Sequence, residues 1–460
     1  MSVLLVLLRS FYCVCFALLL GAVLSAHTES YDRDFGIVVE AFGDVDSDGV
    51  SELAIGDPRT SRGENGCVWV LSGATRKLLY RVEADSAGFG ESIAGGFDIN
   101  EDGAADFVVA FAGSNGEGGV AAINGRDGSE LWRMKDEVLL HNPGSVVLSE
   151  SGEGRDVRAL QHLTMKGPAI AGVSDVDGDG VRDFVGAFAG RAGSARSFFV
   201  CISAKKGAVV WTRTTAFYIG FSIASGSDLN ADGVGDVLLG APVWGDSRQG
   251  IDSGRVLAIS VRNGEVLWTT EGPGSERSYG ASVAFFSDLD RDGIDEYAVG
   301  LGNEDKLESR VFVGSGRTGK IDLQLSLDEI DSSSESRVLG SKQSNAHGLG
   351  HSVLDVNGTL VISSVGRFAE PFLFSSDGRK PLSVASQAGS TGSGSGFFWV
   401  GDLTRDGVDE VAISAIDQMA PYDSWVCILS RDKDGLYTFG DGADQVIYKD
   451  DLLLQERIGD

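Results

Sequence analysis

The sequence predicts an all-β fold built from repeats of about sixty residues. First, a nine-residue acidic pattern recurs six times, beginning at Asp44, Asp98, Asp175, Asp228, Asp288 and Asp402. Second, short apolar runs such as Leu53-Ala54-Ile55 follow the pattern and have the length of buried strands. Third, the chain has 64 glycines in 460 residues, which suits many tight turns.

Each repeat is predicted to contain four short strands. The first strand lies between a glycine eight residues before the pattern and the pattern itself, and the apolar run after the pattern is the second. A long connection leads to an alternating third strand, such as the segment from Val256 to Ile259. A glycine turn and a fourth strand complete the unit, and in three units that strand contains a tryptophan: Trp132, Trp211 and Trp268. Because these tryptophans recur at one position, we interpret them as packing residues.

The acidic pattern has the chemistry of a calcium loop. Calcium takes six to eight oxygen ligands, and alternate residues of a tight loop can direct three side chains inward. The glycine at position six permits a positive φ, position seven offers a backbone carbonyl, and position nine closes the loop with an acid. The predicted ligands are Asp44, Asp46, Asp48, Val50, Glu52; Asp98, Asn100, Asp102, Ala104, Asp106; Asp175, Asp177, Asp179, Val181, Asp183; Asp228, Asn230, Asp232, Val234, Asp236; Asp288, Asp290, Asp292, Ile294, Glu296; and Asp402, Asp406, Val408, Glu410.

Five loops carry the full set of oxygen side chains, and the sixth departs because Thr404 occupies its third position. The alternative is an acidic surface turn without metal. Twenty-one of the chain's 67 acidic residues occupy positions one, three, five and nine of these loops, and a bound dication would relieve their repulsion. An EF-hand is excluded because apolar residues or glycine stand where its twelfth-position glutamate belongs.

The repeat resembles the FG-GAP family, whose repeats form the seven-bladed β-propeller at the head of integrin α chains. Phe35-Gly36, Phe89-Gly90 and Tyr279-Gly280 precede acidic loops, and Leu238 to Pro242 reads LLGAP. The resemblance implies seven four-stranded antiparallel blades, structural Ca²⁺, and ligand-binding loops on the face opposite the cation loops. We find no inserted adhesion domain, leg region or C-terminal membrane span.

Six acidic loops leave one blade to be found between residues 297 and 401. Asn357-Gly358 stands between two apolar segments, and this dipeptide is a strong hairpin signal. We therefore predict a degenerate blade near residues 350–365, with a two-residue turn in place of the cation loop.

The first 26 residues are predicted to be a signal peptide, and residues 27–460 a single propeller. Residues 11–24 form its apolar core, and Leu24-Ser25-Ala26 is an acceptable cleavage site. An uncleaved N-terminal anchor is the alternative. Of the five cysteines, Cys67, Cys201 and Cys427 follow this segment, and we expect them to be buried free thiols.

The formal net charge of −29 argues against nucleic acid as a partner and suits a secreted protein. The five histidines, among them His347 and His351, form no recognisable catalytic set, and there is no nucleophile elbow, phosphate loop or dinucleotide motif. The leading hypothesis is a non-enzymatic module that binds an extracellular protein or glycan. The alternatives are a propeller lectin and an enzyme such as a polysaccharide lyase or phospholipase.

Exposed aromatic and arginine side chains are typical of binding hot spots. On the face implied for ligands, the candidates are Arg59, Arg62, Tyr218, Trp244, Arg248, Tyr279 and Tyr422. Insertions at residues 133–165 and 323–346 are further candidates for shaping a partner site.

Overall fold

The structure is a computed structural model, and it describes the greater part of the chain from residue 34 onward. Two compact units, Met1–Asp32 and Arg33–Asp460, divide the chain, and every described residue lies in the second. The predicted signal segment therefore lies outside the described residues. Those residues are 34–59, 65–85, 88–112, 118–135, 146–147, 168–188, 197–215, 217, 219–242, 253–275, 278–301, 310–326, 352–356, 359–362, 372–374, 381–383, 392–417, 424–431, 437–439 and 446–459.

The strands of the first half form four antiparallel sheets. Sheet 1 contains β1 (Val39–Gly43), β2 (Glu52–Asp57), β3 (Cys67–Leu71) and β4 (Leu78–Glu83). Sheet 2 contains β5 (Ser92–Phe97), β6 (Asp106–Ala112), β7 (Gly118–Ile123) and β8 (Glu130–Lys135). Sheet 3 contains β9 (Val146–Val147), β10 (Ala169–Gly172), β11 (Phe184–Phe188), β12 (Ser197–Ser203) and β13 (Ala208–Thr215), with β9 added parallel to β13. Sheet 4 contains β14 (Ser222–Ser225), β15 (Val237–Ala241), β16 (Arg255–Ile259) and β17 (Val266–Glu271).

Three more sheets follow a short 3-10 turn, Pro273–Ser275. Sheet 5 contains β18 (Ser282–Phe286), β19 (Glu296–Gly300), β20 (Arg310–Gly314) and β21 (Ile321–Ser326). Sheet 6 contains β22 (Val353–Val356), β23 (Thr359–Ile362), β24 (Phe372–Phe374) and β25 (Pro381–Ser383). Sheet 7 contains β26 (Gly392–Gly401), β27 (Glu410–Asp417), β28 (Ser424–Arg431), β29 (Tyr437–Phe439) and β30 (Val446–Tyr448), and helix α1 (Lys449–Gly459) follows it.

The sheets form a β-propeller. The first strands of successive sheets, β1, β5, β10, β14, β18, β22 and β26, are neighbours in that order, and β26 also lies beside β1. Within each sheet the four main strands follow chain order, as predicted, with antiparallel pairing throughout. Such radial repetition leaves only short strand edges exposed.

The hydrophobic core lies between neighbouring sheets. We call each such interface a seam and name it by its two sheets. Seam 1/2, for example, buries Ala54 and Val68 of sheet 1 against Phe107 and Val109 of sheet 2. The middle strands are buried on both faces, which explains why they appear in the sequence as continuous apolar runs. Each of the other six apolar clusters among the described residues likewise joins two neighbouring sheets.

The predicted tryptophans occupy equivalent places in three consecutive seams. Each indole Nε1–H donates to a carbonyl in the turn between the third and fourth strands of the next sheet: Trp132 to Ala204 (2.8 Å), Trp211 to Val261 (2.8 Å) and Trp268 to Gly316 (2.7 Å). The structure shows a fourth aromatic residue with the same role, which the sequence pattern did not reveal. The hydroxyl of Tyr80 donates to Gly125 O in seam 1/2. The packing role predicted for the tryptophans is confirmed.

Sheet 6 contains an antiparallel hairpin at the place of the predicted degenerate blade. Val356 pairs with Thr359, and the antiparallel register continues to Val353 and Ile362. This pairing leaves two residues for the turn, Asn357 and Gly358, which themselves lie outside the described residues. Cys67, Cys201 and Cys427 are buried and free, as predicted.

The end of the chain differs from both possibilities that the sequence left open. Of the segment from Asp444 to Leu454, the described residues from 446 onward neither add a strand to sheet 1 nor trail. Instead, β30 pairs with β28 of sheet 7, and Leu452 of α1 is buried against sheet 1. An acidic residue in the first turn of α1, Asp451, suits the positive end of the helix dipole.

Candidate metal centre

Each acidic loop joins the first and second strands of its sheet. The loop that starts at Asp44 ends at Glu52, the first residue of β2, and the loop that starts at Asp402 ends at Glu410, the first residue of β27. In sheets 2 and 5 the loop likewise ends at the first residue of the second strand, and in sheets 3 and 4 it ends at the residue just before that strand, so the six loops occupy equivalent places in the propeller.

A left-handed backbone conformation explains the invariant glycine at position six of these loops. Its φ lies between +83° and +88° in all six loops. At five of these glycines, such as Gly293, a Cβ would meet no atom within 4 Å. Conformation, and not crowding, therefore requires glycine at this position.

Hydrogen bonds within each loop hold the carboxylates in place. In the first loop Asp44 accepts from the amides of Asp48 (3.1 Å) and Gly49 (2.8 Å), and Asp48 accepts from the amide of Val50 (2.9 Å). The bond from the glycine amide to the first aspartate recurs in all six loops, at 2.7–3.1 Å. The loop geometry thus orients the oxygens at positions one and five.

The acid at position nine is buried in every loop and reaches back to the amide of position two. Asp106, for example, is 0% exposed and accepts from Ile99 N at 2.9 Å and, with its other oxygen, from Gly125 N at 2.9 Å. Asp183 and Asp236 have corresponding pairs of backbone donors. In these three loops the carboxylate also ties the cation loop to the turn between the third and fourth strands.

Burial shifts the titration of these position-nine acids. Desolvation raises the pKa of Glu52 to about 7, and it raises the pKa of Asp183 and of Asp236 to about 6. The pKa values of Asp106, Glu296 and Glu410 are raised for the same leading reason. Repulsion by Asp46, Asp44 and Asp48 of the same loop contributes further to the upward shift of the Glu52 pKa.

Four loops bring carboxylate oxygens close enough to share one ion. Three or four such oxygens lie within 4.8 Å of one another in the groups Asp44, Asp46, Asp48 and Glu52; Asp175, Asp177 and Asp183; Asp288, Asp290 and Glu296; and Asp402, Asp406 and Glu410. In the remaining two loops an amide, Asn100 or Asn230, stands at position three. The donors are all oxygens, which is the donor set that a hard cation prefers.

The buried Oε1 of Glu52 is a further observation that fits a cation. Glu52 is 0% exposed, and Oε1 has no hydrogen-bond partner among the described residues, whereas Oε2 accepts from Val45 N. A buried carboxylate oxygen without a partner is costly, and a cation held with Asp44, Asp46 and Asp48 would satisfy it.

Thr404 interacts with the closing acid of the sixth loop. Its hydroxyl donates to Glu410 Oε1 at 3.0 Å, and the three carboxylates of this loop still form a group. The departure from the pattern at position three therefore leaves the carboxylate arrangement in place.

Basic side chains that the sequence pattern did not reveal neutralise part of the loop charge. Arg126, Arg262 and Arg317 extend from the turns between third and fourth strands to the position-five aspartates of their own sheets. Lys206 bonds Asp177 and Asp179 in the same way, and Arg405 contacts Asp48 from the neighbouring loop. Their sequence signal is a basic residue near the turn glycine, and it is too common to be specific.

The candidate ligand residues are only partly described. The prediction that Tyr279 is an exposed ligand contact is wrong. This residue is 0% exposed, and its hydroxyl lies 3.3 Å from that of Tyr297 in the core of seam 4/5. The tyrosine packs inward because its ring substitutes for the phenylalanine that precedes the glycine in other repeats. Arg59 is partly buried and pairs with Asp57 at 3.2 Å. The others lie outside the described residues, namely Arg62, Tyr218, Trp244, Arg248 and Tyr422, as do all five histidines and most of the two insertions.

The fold and the loops together define a class of protein: an all-β propeller of four-stranded antiparallel blades with acidic loops on its inner strands. No family model matches the chain. The chain is 33% identical to integrin α-5 of Xenopus laevis over 122 residues, which is 23% of this chain and 11% of that protein. It is 27% identical to integrin α-V of Gallus gallus over 209 residues, which is 43% of this chain and 19% of that protein.

The predicted resemblance to integrin α chains is thus confirmed, over a part of each chain. The matched segments amount to between a tenth and a fifth of the length of these curated relatives. Among solved structures, the chain is similar to the Dos1 propeller, with a TM-score of 0.49 and 13% identity over 88% of this chain and 79% of that one. Among the described residues, no helix has both the length and the apolar character needed to cross a membrane.

Proposed function

We propose that this chain is a secreted, seven-bladed propeller that binds Ca²⁺ structurally and acts as a non-enzymatic binding module. The observation that carries the proposal is the gathering of three or four carboxylate oxygens within 4.8 Å in four equivalent loops. The ring order of the seven described sheets supports the blade number. The proposed sites include all six loops, and the loop at Asp402 is proposed to bind more weakly because Thr404 replaces an acid or amide.

A structural role for the ion follows from electrostatics. Two carboxylates about 4 Å apart repel each other by about 4 kcal/mol at an effective dielectric constant near 20. In the first loop Asp44, Asp46 and Asp48 converge on Glu52, and among the described residues only Asp48 of these pairs with a basic side chain, that of Arg405. A divalent cation would replace this repulsion with attraction and would join the first and second strands of the six sheets that carry an acidic loop.

Chelation tests the structural role of Ca²⁺. We expect metal-free protein to melt clearly below the Ca²⁺-loaded protein, because a site at ten times its dissociation constant adds about 1.4 kcal/mol. Asp46→Asn should reduce the Ca²⁺-dependent part of the shift. Asp127→Asn is the matched control, since it removes an equal charge from an exposed turn outside the loops. Melting that is unaffected by Ca²⁺ in every variant would contradict the proposal.

The proposed binding role rests on the similarity to integrin α chains, and the proposed partner is an extracellular protein. The face opposite the cation loops is built from the connections between second and third strands and between successive sheets, and Arg59 lies at one of them. In this proposal the cation loops stabilise the scaffold, while the connections on the other face contact the partner.

Affinity capture from extracellular material, with Ca²⁺ and with chelator, tests the binding role. We expect a protein partner that is retained in Ca²⁺ and lost when the fold is destabilised by chelation. A parallel glycan array distinguishes the lectin alternative, because reproducible sugar binding without any protein partner would replace the proposal by that alternative.

A further inference from the structure

Seam 7/1 is where the ring closes, and its contacts differ from those of seams 1/2 to 4/5. We propose that α1 is a latch that holds sheet 7 against sheet 1, and that its release opens the ring at this seam. By a latch we mean a segment that is continuous with one sheet and is held to the next by side-chain contacts alone.

The chain path places α1 at the junction of the two sheets. Residues Val446–Tyr448 of β30 pair with Trp425, Val426 and Cys427 of sheet 7, and the helix starts at the next residue. Sheet 1 receives no strand from this segment. Whatever joins the end of the chain to sheet 1 must therefore come from the side chains of the helix.

Apolar packing provides the first contact. Leu452 is 1% exposed and belongs to a cluster that includes Val39 and Trp69 of sheet 1 together with Val426 and Ile428 of sheet 7. Leu453 packs against the same cluster. One turn of the helix thus completes the core of seam 7/1.

Polar contacts attach the outer strand of sheet 1 to the same helix. The amide of Leu78 donates to Gln455 Oε1 at 3.0 Å, and Arg81 pairs with Glu456 at 3.2 Å. These contacts lie on β4, the strand that faces away from the centre of the ring, so α1 spans the seam from its core to its rim.

A buried carboxylate holds the start of the helix. Asp57 is 0% exposed, and its Oδ2 lies 2.6 Å from Lys449 Nζ and 3.2 Å from Arg59 Nε. The indole of Trp69 donates to the same oxygen at 3.3 Å. A buried charge pair is strongly destabilised when one partner is removed, so departure of Lys449 with the helix leaves Asp57 poorly compensated.

The usual seam contact is replaced at the corresponding place of sheet 1. In seams 1/2 to 4/5 an aromatic ring packs against a left-handed glycine of the next turn: Gly128, Gly207, Gly264 or Gly319. Sheet 1 has Arg76 at this position, with φ of +60°. Its Nε and Nη1 are buried and have no hydrogen-bond partner among the described residues. The packing of an aromatic ring on a turn glycine, present in seams 1/2 to 4/5, is therefore not repeated at Arg76 of sheet 1.

Hydrogen exchange measured by mass spectrometry tests the latch on the full chain. Lys449→Met removes the charge and keeps the apolar stem, and Lys320→Met, the same substitution at an exposed lysine of sheet 5 outside the latch, is the matched control. We expect exchange in β1, β26 and α1 to accelerate about tenfold or more in Lys449→Met, which corresponds to about 1.4 kcal/mol. The β10 and β14 amides of seam 3/4 should be unchanged, and Lys320→Met, which removes only an exposed ion pair with Asp322, should change exchange in β1, β26 and α1 by less than about threefold.

A second variant separates release of the latch from general loss of stability. Leu452→Ala weakens the apolar contact and leaves Lys449 and Asp57 intact, so it should give the same regional pattern. Acceleration confined to α1, acceleration shared equally by all seams, or no acceleration in either variant would overturn the proposal.

Discussion

Seams 1/2 to 4/5 and seam 7/1 join neighbouring sheets by different means. In the first group one aromatic side chain per sheet donates a hydrogen bond to the turn of the next sheet and packs on its glycine. In seam 7/1 a helix from the end of the chain supplies an apolar anchor, Leu452, and an ion pair between Lys449 and Asp57. Residues within the repeat thus make the contacts of seams 1/2 to 4/5, whereas at seam 7/1 the contacts that close the ring include α1, which lies outside the repeat.

The largest effect is expected from loss of a repeated aromatic. Trp211 is 7% exposed, and Trp211→Ala should lower the free energy of unfolding by about 3–5 kcal/mol, because it leaves a cavity and an unpaired carbonyl at Val261. Urea denaturation would measure this loss. Trp211→Phe, which keeps most of the apolar volume, should be milder, and equal losses in both variants would contradict a packing role.

Leu452→Ala probes the closing seam by the same measurement. We expect a loss of about 2–4 kcal/mol in the free energy of unfolding, as for other buried leucines. Leu454→Ala is the control, because this neighbouring leucine is 57% exposed. If the two variants unfold at the same urea concentration, the helix contributes nothing to the stability of seam 7/1 and the comparison fails.

Substitutions at two glycines distinguish the cost of disturbing an aromatic contact from the cost of backbone strain alone. A Cβ at Gly264 would lie 2.8 Å from Trp211 Cε3, whereas a Cβ at Gly274 would meet no atom within 4 Å, and both residues have positive φ. Gly264→Ala should cost about 2–3 kcal/mol, and Gly274→Ala about 1 kcal/mol. Thermal unfolding of the two variants would therefore isolate the contribution of the aromatic contact.

We expect the stability of the protein to depend on pH through Glu40, a residue of seam 1/2. Glu40 Oε1 accepts a hydrogen bond from Gly95 N of sheet 2 at 3.0 Å, and burial raises the pKa of Glu40 from 4.5 to about 7. The attraction of Arg182 and the hydrogen bond oppose the shift but do not cancel it. Between pH 4.5 and 7 the unfolded chain has therefore lost a proton that the folded chain still holds.

The free energy of unfolding therefore falls as the pH rises from 4.5 to 7 and stays low above that window. Glu40→Gln removes the titration, so its advantage over the native protein should grow between pH 4.5 and 8. Because Glu40 is only partly buried, we expect the gain to be about 1–2 kcal/mol. Urea unfolding at the two pH values measures it, and a pH-independent difference would contradict the shift.

The sequence predicted what the repeat encodes locally. The acidic loops, the hairpin between Val356 and Thr359, and the packing tryptophans all follow from short patterns that depend on nearby residues. The sequence did not predict the contacts of α1 with sheet 1. The hydrogen bond from Leu78 to Gln455, for example, joins residues 377 positions apart, and no repeated pattern indicates it. Tyr279 was misjudged because an aromatic before a turn glycine can face either solvent or core, and only packing decides between them.

The short strand β9 has a consequence for how the protein meets other copies of itself. Val146 and Val147 pair in parallel with Arg213 and Thr214 of β13, so this part of the outermost strand of sheet 3 already has a neighbour. An open strand edge has unpaired amides and carbonyls with which a strand of another copy can pair. At this point of the rim the chain has covered its own edge, and self-association through added strands is disfavoured there.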